Sequence, residues 1–246
     1  ELGYCRNELA RAVVTGNSRI IGMVSALSMG CHEYISRIMA GVFEELSERG
    51  YSLKIFYLKD HNETQIIRQL RESRIAGVIC HASEHRALAE LMENLSKLKI
   101  PTVTVNLSAD KFGVGIVSDD ASGIEQAVDH FYEYGHRKIA YLGCSGDTEY
   151  IRNRRLGFRR GMEKHNLVPH FFQPSPSGTR PDSVFEQADR LYSARFRAVV
   201  TETDVYAMEL MQWAYRNHIQ IPEELSMTGF SNAAFSGISV VPLTTA

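Results

Sequence analysis

The chain has 246 residues, a length that allows one large domain or two smaller ones. Its 27 Lys and Arg residues nearly balance its 29 Asp and Glu residues, and 44% of the residues are hydrophobic, so the composition excludes a disordered chain and a surface coated with phosphate-binding charge. No apolar run reaches the roughly 20 residues of a membrane-spanning helix, the first residues lack an export signal, and the four cysteines have no paired spacing. We therefore expect a cytoplasmic protein with no membrane association.

Short apolar runs rich in β-forming residues alternate with segments in which apolar residues recur every three or four positions, a pattern that predicts strands alternating with amphipathic helices. The strands are expected at residues 20–24, 51–56, 76–80, 100–105, 113–117, 138–142, 198–201 and 225–230. The helices are expected around residues 35–46, 66–70, 88–95, 124–134, 152–164, 185–192 and 205–215. The proline-containing stretch Pro169–Pro181 is expected to be an exposed loop.

This order of elements predicts an α/β fold. Strands separated by helices favour parallel sheets with helices on both faces. The number of strands suits two sheets better than one, and we expect the division between them near residues 108–135.

No set of residues stands out that a catalytic reaction or a metal ion requires. The segment His81-Ala82-Ser83-Glu84-His85 matches H-x-x-E-H, in which two histidines one helical turn apart bind zinc. His81 directly follows a predicted strand, however, and Ser83 suits an N-cap, so we expect a solvated loop. Cys144 has no histidine placed by spacing to activate it, and no nucleotide-binding fingerprint occurs. The prediction is no enzyme, no metal site and no cofactor.

The residues that follow the predicted strands suggest a binding site. In open α/β sheets, ligands sit outside the carboxyl ends of the strands. Here these positions hold mostly small and polar residues, at 25–28, 80–83, 106–108, 144–147, 201–204 and 231–232. Such residues suit a site that hydrogen-bonds a small ligand.

Several segments resemble the LacI/GalR family of bacterial transcription repressors. They are Glu1-Leu2-Gly3-Tyr4, Asn7-x-Leu9-Ala10-Arg11, Thr15-Gly16, Gly135-His136-Arg137-Lys138-Ile139-Ala140-Tyr141-Leu142-Gly143, Arg154-x-x-Gly157-Phe158, Ile221-Pro222-Glu223-Glu224-Leu225-Ser226-Met227-Thr228-Gly229-Phe230 and Pro242-Leu243-Thr244-Thr245. These motifs follow one another in the family's order across the whole chain.

The resemblance implies a helix-turn-helix domain, a hinge helix, and an effector-binding core of two similar parallel-sheet subdomains like the type I periplasmic binding proteins, with the ligand cleft between them. Residues 1–17 would hold the end of the DNA-binding domain and the hinge helix. Residues 18–115 would form the N-terminal subdomain and residues 116–246 the C-terminal subdomain. In the family a further strand and helix return to the first subdomain, and we expect that segment beyond Ala246.

The resemblance also implies partners. Asn7, Ala10, Arg11 and Val13 fall in the hinge helix, which in the family docks in the DNA minor groove. Val13 stands where the family usually has the Leu that wedges between base pairs. Operator DNA is expected to bind only to the full-length protein, as a homodimer, because palindromic operators require two-fold protein symmetry.

For the small-molecule effector, the resemblance implies five contacts. They are Tyr34, Asn106, Arg154, Thr203 and Ser231. Asp204 fits the family motif as the N-cap of the next helix. A substitution of Arg154 by alanine is expected to abolish the effector response and to leave the fold intact.

The charge of these positions favours an anionic effector. Family members often have carboxylates where Asn106 and Ser231 stand, whereas Arg154 is flanked by Arg152 and Arg155. An arginine fork without balancing carboxylates would prefer a sugar phosphate or sugar acid to a neutral hexose. Any of Asp119, Asp120 and Asp147 would restore the balance if it lined the cleft.

The function that the resemblance implies is a ligand-responsive repressor that senses a small carbohydrate-like molecule. The alternative is a periplasmic or extracellular sugar-binding protein that serves a transporter. The hinge motif and the four unpaired cysteines argue against that alternative. An α/β enzyme is a third possibility, disfavoured by the lack of an acid, base and nucleophile set.

Overall fold

A computed structural model describes residues 18–25, 32–59, 62–81, 85–108, 113–174 and 181–246 of the chain. The chain divides into two compact units, Glu1–Ser118 and Asp119–Ala246. Each unit contains one five-stranded sheet with parallel pairing between all neighbouring strands. The predicted fold class, α/β with two parallel-sheet subdomains, is confirmed.

The first unit alternates strands and helices as far as its fourth strand. Its strands are β1 (Ile20–Ser25), β2 (Ser52–Tyr57), β3 (Gly77–His81), β4 (Thr102–Val105) and β5 (Val114–Ile116). Its helices are α1 (His32–Glu48), α2 (Glu63–Glu72) and α3 (His85–Lys97). The sheet order is β2-β1-β3-β4-β5. The core forms because the apolar stripes of α2 and α3, including Ile66, Leu70, Leu88 and Leu91, pack on Val78 of the central strand.

The second unit repeats the pattern. Its strands are β6 (Ile139–Leu142), β7 (His170–Phe172), β8 (Ala198–Thr201), β9 (Ser226–Gly229) and β10 (Thr244–Thr245). Its α-helices are α4 (Asp120–Glu133), α5 (Glu149–Lys164), α6 (Pro181–Ser193) and α7 (Asp204–Arg216). The sheet order is β10-β9-β8-β6-β7.

Helices cover both faces of this second sheet. Every residue of β6 and β8 is buried, as expected for central strands of a parallel sheet. Successive side chains alternate between faces, so Leu142 belongs to one apolar cluster and Tyr141 to the other. The predicted placement of helices on both faces therefore holds for this unit.

The predicted loop Pro169–Pro181 is wrong in its first part. His170–Phe172 forms the edge strand β7, which pairs with β6. The strand forms because Phe171 packs against Tyr141 and Phe158, with ring centroids 5.5 and 5.3 Å apart. Residues 175–180 lie outside the described part of the chain, and α6 begins at Pro181.

No helix in the described ranges is long and apolar enough to span a membrane.

Candidate functional site

The carboxyl ends of β1, β3 and β4 lie side by side in the first sheet, because these strands are neighbours in parallel pairing. Two of the predicted effector contacts meet there. The hydroxyl of Tyr34, on α1, donates a hydrogen bond to Oδ1 of Asn106 over 2.7 Å. Asn106 directly follows β4 in the left-handed region, with φ 62°, a conformation that Asn tolerates better than most residues. Tyr34 and Asn106 are thus brought together as hydrogen-bond partners.

His81 lies beside this pair and corrects the prediction of a solvated loop. It is the last residue of β3 rather than the first residue of a loop, and only 3% of it is exposed. Its ring centroid is 6.1 Å from that of Tyr34. Neither ring nitrogen has a hydrogen-bond partner among the described residues. Burial lowers the pKa of His81, so the imidazole is held neutral.

The zinc motif around His81 gains no support from the fold. His81 ends a strand and His85 begins α3, so the two residues do not lie one helical turn apart on one helix. In the ranges that the structure describes, no three His, Cys, Asp or Glu side chains converge as metal ligands.

Arg154, the predicted effector-binding arginine, lies on α5 in the second unit and is only 8% exposed. Its Nε donates to Oδ1 of Asp120, the first residue of α4, over 2.8 Å, and its Nη1 donates to the carbonyl oxygen of Glu202 over 2.7 Å. Its Cζ is 3.9 Å from the ring centroid of Phe230. Arg154 therefore links α4 and the segments that follow β8 and β9.

This arrangement overturns the reason for expecting an anionic effector. The charge of Arg154 is balanced by Asp120 in a buried ion pair, and Arg152 pairs with Asp147 over 3.3 Å. Because successive helix residues point about 100° apart, the three neighbouring arginines do not form one fork. Asp120 is the residue that restores the balance, and its place opposite Arg154 depends on packing between α4 and α5.

Glu202 provides a second carboxyl group in this region, and it was not among the predicted site residues. It follows β8 directly, is 2% exposed, and accepts hydrogen bonds from the Cys144 thiol over 3.2 Å and from the Tyr141 hydroxyl over 3.3 Å. Burial raises the pKa of Glu202, although the Cys144 hydrogen bond and the charge of Arg154 act in the opposite direction. A charged residue immediately after a buried strand was the available signal.

Cys144 has the environment of an inert thiol. Burial, together with the nearby Glu202 carboxyl group, raises its pKa to about 11. A nucleophilic cysteine needs a lowered pKa, so the thiol is protonated and unreactive near neutral pH.

The pKa of Glu202 leads to a prediction for stability. Folding raises this pKa, so the stabilising contribution of Glu202 is full below its unfolded pKa of about 4.3 and is lost as the pH rises through the folded value. Glu202→Gln removes the titration. We expect the variant to gain stability relative to the wild type as the pH rises above about 4.3, by roughly 1.4 kcal/mol for each pH unit until the folded pKa is passed. Urea unfolding across this range measures the difference, and a difference independent of pH would contradict the prediction.

The remaining predicted contacts, Thr203 and Ser231, follow β8 and β9. Thr203 is the N-cap of α7, where its Oγ1 accepts from the backbone N–H of Tyr206 over 3.4 Å. The expectation that Asp204 caps this helix is wrong. Asp204 is its buried first residue and accepts hydrogen bonds from the Thr245 hydroxyl and the Ala233 backbone N–H, which tie the C-terminal strand to the helix.

Ser231 is exposed and adopts φ 102°, and its backbone N–H donates to the carbonyl oxygen of Ala246 over 2.9 Å. It directly follows Phe230, which packs on Arg154. Arg154 also donates a hydrogen bond to the carbonyl oxygen of Glu202, the residue before Thr203. Arg154 therefore contacts the residues that immediately precede Thr203 and Ser231. The predicted hinge residues Asn7, Ala10, Arg11 and Val13 lie outside the described residues.

Comparison with known proteins gives consistent matches. The model of the periplasmic binding protein-like domain matches residues 128–246. The repressor PurR of Vibrio vulnificus is 28% identical over 255 residues, covering 100% of this chain and 74% of the relative, and the ribose operon repressor of Escherichia coli K12 is 24% identical over 252 residues, covering 100% and 75%. The lac repressor dimer bound to operator and the anti-inducer ONPF matches with a TM-score of 0.82 at 18% identity, covering 99% of this chain and 85% of that one. All three proteins are transcriptional repressors rather than enzymes.

Proposed function

We propose that this chain, which has the effector-binding core of the LacI/GalR family of ligand-responsive transcriptional regulators, senses a small neutral carbohydrate. The observation that carries the choice of ligand is the charge balance around Arg154. Asp120 neutralises its guanidinium group. Glu202, whose carbonyl oxygen accepts a hydrogen bond from Arg154, carries a second carboxyl group. An anion gains little from an arginine that is already paired, whereas sugar hydroxyls both donate and accept hydrogen bonds.

The proposed effector contacts are the five residues that the sequence selected. Arg154, Thr203 and Ser231 belong to the second unit, and Tyr34 and Asn106 to the first. The described hydrogen bonds of Arg154 use its Nε and Nη1, and its third nitrogen, Nη2, is the proposed donor to a sugar oxygen. The Tyr34 and Asn106 pair offers donors and acceptors of the same kind. The ribose operon repressor among the relatives supports a ligand of this class.

The other partners follow from the family. We propose that Asn7, Ala10, Arg11 and Val13 contact operator DNA in the full-length protein, that the protein acts as a homodimer, and that it works in the cytoplasm where its operator lies. The alternative of a transporter's sugar-binding protein is not favoured, because the relatives that match the chain from end to end are repressors.

A thermal unfolding screen tests the proposed ligand class. Ligand binding stabilises the folded state by about 2.7 kcal/mol when the ligand is at 100 times its Kd. We expect a neutral pentose or hexose to raise the unfolding temperature, and sugar acids and nucleobases to have smaller effects. Stabilisation by an anionic ligand alone, acting through Arg154, would contradict the proposal.

The variant Tyr34→Phe locates the response. Removing the hydroxyl that bonds Asn106 should weaken sugar binding about fivefold to tenfold, because one neutral hydrogen bond contributes a net free energy of that size. Tyr215→Phe is the matched control, because Tyr215 is 79% exposed on α7. Equal losses in both variants would remove Tyr34 from the site.

A further inference from the structure

A cavity of about 330 Å³ lies in the second unit, and none of the proposed effector contacts lines it. Its walls come from α5, from α6, and from β7 with the residue that follows it. The lining residues are Arg155, Arg159, Phe171, Gln173, Gln187 and Arg190. The volume suits a small molecule, since ligand cavities usually measure about 300–1,000 Å³.

Among the described residues, the lining carries three positive charges and no carboxylate. None of Arg155, Arg159 and Arg190 forms an ion pair with a described Asp or Glu. Two other arginines of α5 differ in this respect, because Arg152 and Arg154 each have a carboxylate partner. Three guanidinium groups without a described carboxylate partner therefore concentrate positive charge around one cavity.

The contacts that these arginines do make hold them in place without neutralising them. Arg155 donates from Nη2 to the carbonyl oxygen of Cys144, and its Nε is buried with no partner among the described residues. Arg190 donates from Nη1 to the Gln187 side chain over 3.0 Å. The guanidinium group of Arg159 lies 5.4 Å from the ring centroid of Phe171. Arg155 also interacts electrostatically with Glu202, but that carboxyl group does not line the cavity.

Three like charges around one cavity repel one another, and a bound anion would replace this repulsion with attraction. Guanidinium groups bind phosphate oxygens with two parallel hydrogen bonds, and a phosphate group has enough acceptor oxygens to engage more than one arginine. The glutamine amides add neutral donors, and Phe171 adds an apolar surface.

We propose that this cavity binds a small phosphorylated molecule, a phosphate monoester, independently of the proposed sugar site. Arg155 and Arg159 lie one helical turn apart on α5 and contribute two guanidinium groups from one side. Arg190 contributes the third from α6. The protein would then respond to two ligands of different charge.

The test compares the wild type with the double variant Arg159→Gln/Arg190→Gln, which keeps polar side chains of similar length. Arg216→Gln is the matched control, because the Arg216 guanidinium lies over Phe185 at 5.1 Å but outside the cavity. Thermal unfolding is followed with inorganic phosphate and with phenyl phosphate, a phosphate monoester without a sugar group, against chloride at equal ionic strength. We expect both phosphates to raise the unfolding temperature of the wild type and of Arg216→Gln, and the double variant to need at least tenfold more of each.

Loss of folding does not obscure this result. Because the substitutions remove repulsion, the double variant without phosphate should unfold at or above the temperature of the wild type, and Arg190→Gln alone is the milder variant. A shift that persists in the double variant would place the anion elsewhere and overturn the proposal. So would an equal loss in Arg216→Gln, which would indicate general charge screening, or the absence of any shift in the wild type.

Discussion

Replacing Arg154 with alanine is expected to lower the free energy of unfolding by about 3 to 5 kcal/mol, because it removes the positive member of the buried Arg154–Asp120 ion pair. The side chains of the two residues are 9% and 4% exposed, so water cannot replace the lost contact. The substitution also removes the bond to the Glu202 carbonyl oxygen and the packing on Phe230. The expectation from sequence that this variant keeps its fold intact is therefore corrected. Denaturant unfolding measures the loss, and sugar binding is measured at a temperature where the variant is still folded.

Two comparisons isolate the buried pair. Arg152→Ala on the same helix breaks an ion pair whose side chains are 44% and 86% exposed, so it should cost no more than about 1 kcal/mol. In a double-mutant cycle, Arg154→Met combined with Asp120→Asn should cost less than the sum of the two single variants, by at least about 1 kcal/mol. Additive losses, or equal losses at Arg152 and Arg154, would show that the buried pair does not hold α4 and α5 together.

The alternation of strands and helices could be predicted because its signal is local. The apolar runs of β6 and β8 are short and continuous, and each helix between strands carries its own apolar stripe. The short edge strand β7 was missed because its pairing with β6 depends on Phe171 reaching Tyr141 and Phe158 elsewhere in the chain. The proline-containing sequence around it suggested a loop.

The sequence predicts that the candidate residues follow strand ends, but it does not predict which carboxylate balances the charge of Arg154. Asn106, Thr203 and Ser231 lie just after the carboxyl ends of β4, β8 and β9, as the order of elements predicts for a parallel sheet. The partner of Arg154 was not predictable, because Asp120 lies 34 positions earlier and approaches only through the packing of α4 against α5. The predicted N-cap of α7, Asp204, is one residue away from the observed N-cap, Thr203. The Asp204 carboxylate instead accepts hydrogen bonds from Ala233 and Thr245, which are distant in sequence.

The packing that brings Asp120 to Arg154 depends on a glycine. Gly157 lies on α5, one turn after Arg154, and a Cβ atom at this position would lie 2.2 Å from the backbone oxygen of Ala121. Ala121 is the residue next to Asp120 on α4. The two helices can approach this closely only without a side chain at position 157. This explains in physical terms the Arg154-x-x-Gly157 motif on which the family resemblance partly rests.

Gly157→Ala should therefore destabilise the protein by about 3 kcal/mol, near the upper end for overpacking, because the clash is with backbone that cannot rotate away. Gly41→Ala is the matched control. Gly41 also lies within a helix, α1, but a Cβ atom there has no neighbour within 4 Å among the described residues. It should stabilise the protein by about 0.5–1 kcal/mol, since alanine favours the helix. Denaturant unfolding measures the change in the free energy of unfolding for both variants. No change for Gly157→Ala would show that α4 and α5 can separate without loss of the Arg154–Asp120 pair.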